Sequence, residues 1–158
     1  MGSSEERAVR DFVDIVNELY NGLGKEFGKS FRSRAREIPS FIYEVGFLSA
    51  VSFVYSKAET QRYNLIIKYV EEKKRKSPDY SIYKDINSTE GGYAAYLYLL
   101  LLETSRILPN MNLNLSDPLS CIKALSGHGD LLMVLPSLLM PYLLEIKRLA
   151  EAILPKEE

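Results

Sequence analysis

The chain has 158 residues, 46% of them apolar and 26% charged, with a formal net charge of −1. This composition suits one globular domain with its own core and excludes a disordered or collagen-like chain. The single cysteine, Cys121, cannot close an internal disulfide, so nothing points to an oxidising compartment.

The longest uncharged stretches lie between Asp130 and Glu145 (14 residues) and between Glu90 and Glu103 (12 residues). A membrane span needs roughly 18 apolar residues or more, so both are expected to be core helices. Met1 to Glu6 shows no basic segment leading into an apolar run, and no signal peptide is expected. The expected location is the cytoplasm, without membrane contact. The near-neutral total averages over unlike segments. Residues 1–24 sum to −3, residues 25–38 to +3 and residues 57–76 to +4. Two basic segments in a neutral chain are compatible with a face turned toward a polyanion.

Taken in order, the predicted elements are all helical. Ser3-x-x-Glu6 has capping-box spacing, and Val9, Phe12, Val13, Val16 and Leu19 recur at three- and four-residue steps, giving a first helix over about 4–21. Asn21-Gly22-Leu23-Gly24 ends it. A second helix over about 25–37 carries Phe27, Phe31 and Ala35 on one stripe. Pro39 is expected to end that helix and open a third over about 39–57. The third is apolar on nearly every face and should sit centrally, burying Phe41, Val45, Leu48 and Val51. Gly46 in its middle suggests close approach of a neighbouring helix.

A fourth helix over about 58–76 ends in the charged run Glu71 to Lys76, and Asp79 can cap a short helix over 79–86. Ser88 or Thr89 can cap a fifth helix from Tyr93 to Leu108, with Gly91-Gly92 as a loose entrance. Residues 109–129 are expected to form a loop or insertion, with a short helix from Asp117-Pro118 to Leu125. Asp130 can cap a last helix to about Leu154, which Pro136 and Pro141 should kink or break. The expected fold is an all-α, single-domain bundle of about six helices over 1–158.

Chemistry is thinly represented. His128, the single histidine, sits between two glycines, seven residues after Cys121. One Cys and one His supply two zinc ligands where three or four are needed. No phosphate loop, dinucleotide fingerprint or HExxH pattern occurs, and the carboxylates fall on expected solvent faces. No catalytic residue, metal or cofactor is expected.

The basic segments carry more. At about 100° per residue, Lys25, Lys29, Arg32 and Arg36 fall near 0°, 40°, 340° and 20°, one stripe opposite Phe27 and Phe31. Such a ridge suits a phosphate backbone without base reading. Lys57, Lys68, Lys73, Lys74 and Arg75 make a second candidate group. Either could instead be a solvated surface, and the run at 71–76 also suits a helix C-terminus. A recognition helix with base-reading Arg, Asn and Gln is not evident.

Residues 31–57, from Phe31-Arg-Ser-Arg-Ala-Arg-Glu-Ile-Pro39 through Ile42, Gly46-Phe47 and Phe53 to Lys57, resemble the small subunit of the type III-B (Cmr) CRISPR effector complex, the fifth Cmr protein. Arg7-Ala8 matches that family's N-terminal pair, Arg36-Glu37-Ile38-Pro39 its Lys/Arg-x-x-Pro turn, and Leu144 to Ala150 its terminal helix. The family's final tryptophan is absent, with Tyr142 nearby. The resemblance implies a non-catalytic antiviral helical bundle that stacks on copies of itself and on other complex subunits and supports guide and target RNA through its backbone. The alternative from the residues alone is a helical protein–protein adaptor that never touches nucleic acid.

Overall fold

In the computed structural model, which describes residues 2–156, the capping box forms as its spacing predicts. The Ser3 hydroxyl accepts the Glu6 amide at 3.1 Å and the Glu6 carboxylate accepts the Ser3 amide at 3.0 Å. Helix α1 (Ser4–Asp11) starts there and passes into a π-helical segment, Phe12–Asn17, then into α2 (Glu18–Leu23). Lys73 donates to the Asp14 carbonyl within the π segment and to the Glu18 carboxylate, fixing this irregular stretch.

Gly24 (φ 128°) ends α2, and α3 (Lys25–Val45) follows as one helix of 21 residues. Pro39 lies inside α3, so the expected boundary at residues 37–39 is wrong. Proline forfeits one backbone hydrogen bond and crowds the preceding turn, at about 3 kcal/mol. Burial of Ile38, Pro39 and Ile42 opposes that cost. The break comes instead at Gly46, whose φ of 90° and ψ of 160° are a glycine conformation. A Cβ at Gly46 would meet nothing within 4 Å, so the glycine serves backbone geometry and not helix approach.

Helix α4 (Phe47–Ala58) is followed by α5 (Thr60–Lys73) and a 3₁₀ segment, Tyr80–Ile86, capped by the Asp79 carboxylate. Helix α6 (Gly91–Ile107) is the central element, with every residue from Gly91 to Leu101 buried. It packs on α3, α4 and α5. The expectation that residues 39–57 would be central is corrected. Val51 is buried, but Phe41 and Leu48 are half-buried and Val45 is 42% exposed. An all-round apolar surface was equally compatible with a helix that leaves one side open.

Gly91 and Gly92 mark a tight crossing and not a loose entrance. A Cβ at Gly92 would lie 2.4 Å from backbone atoms of Ser30 and Phe31. The Ser30 hydroxyl accepts the Gly92 amide at 3.0 Å and donates to the Thr89 carbonyl, stitching α3 to the start of α6. Glu90 takes the cap position with no side-chain cap bond, so neither Ser88 nor Thr89 caps α6.

After a 3₁₀ turn at Pro109–Met111, the Asp117 carboxylate accepts the Ser120 amide and α7 spans Pro118–Ser126. Helix α8 (Gly129–Ile153) starts at His128 as cap, two residues earlier than an Asp130 cap implies, and continues through Pro136 and Pro141 unbroken. By length and composition α8 could cross a membrane, and 28% of its most apolar stretch is buried. The core-helix expectation therefore fails for its first half, where Met133 (82%), Val134 (51%) and Leu138 (49%) are exposed. The described residues form eight α-helices and no strand, around one contiguous core.

The carboxylates are not all on solvent faces. Glu103 is fully buried and Asp11 nearly so. Arg7 reaches Glu103 at 2.7 Å, Arg106 reaches Asp11 at 2.7 Å and Glu103 at 3.2 Å, and the Tyr142 hydroxyl donates to Asp11 at 2.7 Å. The two cations balance the two anions, and the network ties α1, α6 and α8 together without a free group for chemistry.

Candidate nucleic-acid interface

Helix α3 packs on α6 and α8, so its buried arc is wider than the stripe of Phe27 and Phe31. This decides the fate of the basic ridge. Lys25 and Arg36 are exposed and Lys29 is half-exposed, but Arg32 lies at the edge of the buried arc with only 8% of its surface open. Its Nε has no hydrogen-bond partner, and among the described residues no carboxylate pairs with it. Lys29 lies 3.9 Å from Glu26, and Arg36 Nε lies 3.2 Å from Glu151 on α8. These two pairs are solvent-screened and worth well under 1 kcal/mol each, so both cations remain available to a stronger anion.

The second group disperses. Lys57 lies in the last turn of α4 with its ammonium 5.8 Å from the Phe53 ring. Lys68 is exposed on α5, whereas Lys73 is held by Glu18 at 2.6 Å and by the Asp14 carbonyl. Lys74 pairs with Glu71 at 3.5 Å, and Arg75 is exposed in the turn beyond α5. Helices α3 and α5 make no substantial contact, so the fold does not merge the two groups through a shared helix interface.

Packing adds cations that the sequence did not single out. Ser33, Arg34, Arg36, Glu37 and Lys147 line a recess of about 340 Å³ between α3 and α8. Arg34 is largely buried, bound to Glu37 at 2.8 Å and stacked 4.3 Å from the Tyr93 ring centre. Lys147 extends the Arg36 end of the ridge onto a second helix. Its sequence distance from α3 leaves no pattern by which spacing alone could pair them.

Cys121 is buried, its thiol donating to the Asn114 carbonyl at 3.1 Å, and burial pushes its pKa up to about 11. His128 is exposed. Among the described residues, no three His, Cys, Asp or Glu side chains are grouped to hold a metal.

A sequence model of a CRISPR-associated protein family, Cas_Cmr5, matches residues 4–97. The CRISPR system CMR subunit Cmr5 of Saccharolobus solfataricus is 30% identical over 162 residues, which cover 95% of each chain. Two cryo-EM structures contain chains of the same fold. One, from type III-B Cmr-beta bound to cognate target RNA and AMPPnP, has a TM-score of 0.66 at 23% identity over 98% of this chain and 97% of that one. The other, from the Cmr-beta complex bound to non-cognate target RNA, has a TM-score of 0.66 at 22% identity over 99% of each. The family match runs from α1 into the first half of α6 and includes the ridge, and the relative's similarity covers 95% of the chain, so the chain belongs to the Cas_Cmr5 family.

Proposed function

We propose that this chain is a non-catalytic small subunit of a type III-B Cmr RNA-guided effector complex, working in the cytoplasm in antiviral defence. Its partners are the other Cmr subunits, copies of itself and the backbone of guide and target RNA. The single observation that carries the RNA contact is Arg32, a nearly buried residue whose Nε is unpartnered and which has no counter-ion among the described residues, flanked along α3 by Lys25, Lys29 and Arg36. Burying an unpaired charge is costly, by several kcal/mol before relaxation. A phosphate laid along α3 supplies the missing anion, and Lys147 continues the positive path onto α8. The relatives' presence in complexes bound to target RNA supports the same reading. Of the second group, Lys68 and Arg75 have no ion-pair partner among the described residues, while Lys73 is committed to the π-helical segment and α2.

One subunit offers few contacts, so its isolated affinity is expected to be weak and raised by repetition in the assembly. The test is target-RNA binding by the assembled complex across a salt series, with Lys25→Glu/Lys29→Glu compared with the parent chain on two unrelated guide–target pairs. Both targets should weaken about equally, and the log–log salt slope should flatten by about 0.7–0.9 per lost phosphate contact. Assembly with unchanged affinity and unchanged slope would establish the helical adaptor that never touches nucleic acid.

A further inference from the structure

A second face of α3 has chemistry opposite to the ridge. At about 100° per residue, Glu37, Phe41 and Glu44 point roughly 80–140° away from the stripe of Lys25, Lys29 and Arg36. There α3, α4 and α6 enclose an open recess of about 370 Å³, walled by Phe41, Phe53 and Tyr93 with Glu37 and Glu44 at its rim. The Phe41 and Phe53 rings meet edge to face at 5.3 Å, and Phe53 and Tyr93 at 6.1 Å. Phe53 is 38% exposed, and Tyr43 (59%) and Val45 (42%) add exposed apolar surface on the last turn of α3.

Charge identifies what fits. The Glu44 carboxylate is exposed and has no ion-pair partner among the described residues, whereas Glu37 is already bound to Arg34. Glu44 lies in the last turn of α3, which ends at Val45, so the helix's negative dipole end faces the same region. A phosphate backbone is repelled by this combination, which makes the aromatic wall a poor platform for stacked bases. The chain's own cations show which ligand the rings accept. Arg34 lies 4.3 Å over Tyr93, and the Lys57 ammonium lies 5.8 Å from Phe53. Aromatic faces attract cations through the ring quadrupole, and a guanidinium adds planar stacking and a fork that matches a carboxylate.

We propose that this recess docks an arginine side chain of another protein, its guanidinium stacked on the Phe41–Phe53 wall and paired with Glu44. The protein thus presents a cationic face to RNA and an anionic aromatic socket to a protein partner, both on α3.

The test uses the folded full chain with N-acetyl-arginine amide as the probe, followed by NMR. Signals of Phe41, Phe53 and Tyr93 should shift saturably at millimolar probe, and Glu44→Gln should weaken binding about threefold to tenfold. The citrulline equivalent, isosteric but neutral, should bind much more weakly, and a single-stranded RNA oligonucleotide should leave these signals in place. In the assembly, Glu44→Lys should fold with an unchanged melting temperature yet enter the complex at a reduced fraction. The proposal is overturned by absent shifts, by equal binding of citrulline, by RNA shifting these signals, or by undiminished incorporation of Glu44→Lys. Concentration-dependent shifts of the same signals without probe would reassign the socket to a second copy of this chain and overturn the foreign partner.

Discussion

Replacing Asp11 by alanine tests whether the buried charge network holds the bundle together. The Asp11 carboxylate is 5% exposed and accepts from Arg106 at 2.7 and 3.1 Å and from the Tyr142 hydroxyl at 2.7 Å. Removing it leaves Arg106 with Glu103 alone and strands a phenol in a site with no exposed surface. Burial, together with the Asp11 charge, pushes the Tyr142 pKa well above its ordinary value, so the phenol stays a proton donor throughout the working pH range. Breaking a buried pair by deleting one partner costs about 3–5 kcal/mol. Tyr142→Phe removes one donor while Asp11 keeps both Arg106 bonds, so it should cost about 0.5–1.5 kcal/mol. Urea unfolding followed by far-UV circular dichroism reads both, provided the m value is unchanged. Pairing Asp11→Ala with Arg106→Leu should cost less than the two single changes added together, because no cation is then left unpaired. A loss below about 1 kcal/mol for Asp11→Ala at unchanged m would refute the reasoning, as would equal losses for Asp11→Ala and Tyr142→Phe.

Leu100, fully buried in the middle of α6, should lose about 2–5 kcal/mol on truncation to alanine. Half-buried Leu48 on α4 should lose clearly less in the same urea melts, and the reverse order would displace α6 from the centre. Gly46→Ala meets no atom but must adopt φ 90°, ψ 160°, so it should destabilise by about 1–3 kcal/mol in a thermal melt. Gly92→Ala drives a methyl into the Ser30–Phe31 backbone and should be the more damaging of the two. Cys121, with a thiol pKa of about 11, should react slowly with a maleimide at pH 8 and quickly in urea; fast labelling of the folded protein would show an open α7.

Features set by neighbours in sequence were legible. The Ser3–Glu6 box, the Asp79 cap and the Asp117-Pro118 start each need only a few residues, and each forms as spacing dictates. Pro39 misled because its local penalty is real but smaller than the packing of a continuous α3. Arg32 misled for a related reason. Spacing placed it on the ridge, and only the joint contact of α3 with α6 and α8 widens the buried arc to include it. The Asp11–Arg106–Tyr142 network joins residues 95 and 131 positions apart, so no periodicity could reveal it. The site was half legible. The cations of α3 were readable as a stripe, but Lys147 and the acidic aromatic recess exist only once α3, α4, α6 and α8 are assembled.

The unbroken passage of α3 through Pro39 has a consequence for how these faces act together. Lys25 to Arg36 precede the proline, and Phe41 and Glu44 follow it. Two helices meeting at Pro39 would let the ridge and the recess change their relative direction, because a break frees two backbone dihedrals per residue. A single helix fixes it at the rotation given by 3.6 residues per turn. The Ser30–Gly92 bond clamps the N-terminal half of α3 against α6, and the Arg34–Tyr93 stack clamps the middle one turn later. Burial of Ile38 and Ile42 continues the same contact past the proline. If both proposals hold, a phosphate at Arg32 and a partner side chain at Glu44 are positioned by one rigid element. Movement of either ligand relative to the other then requires movement of the whole subunit, which suits a part that sets spacing in an assembly.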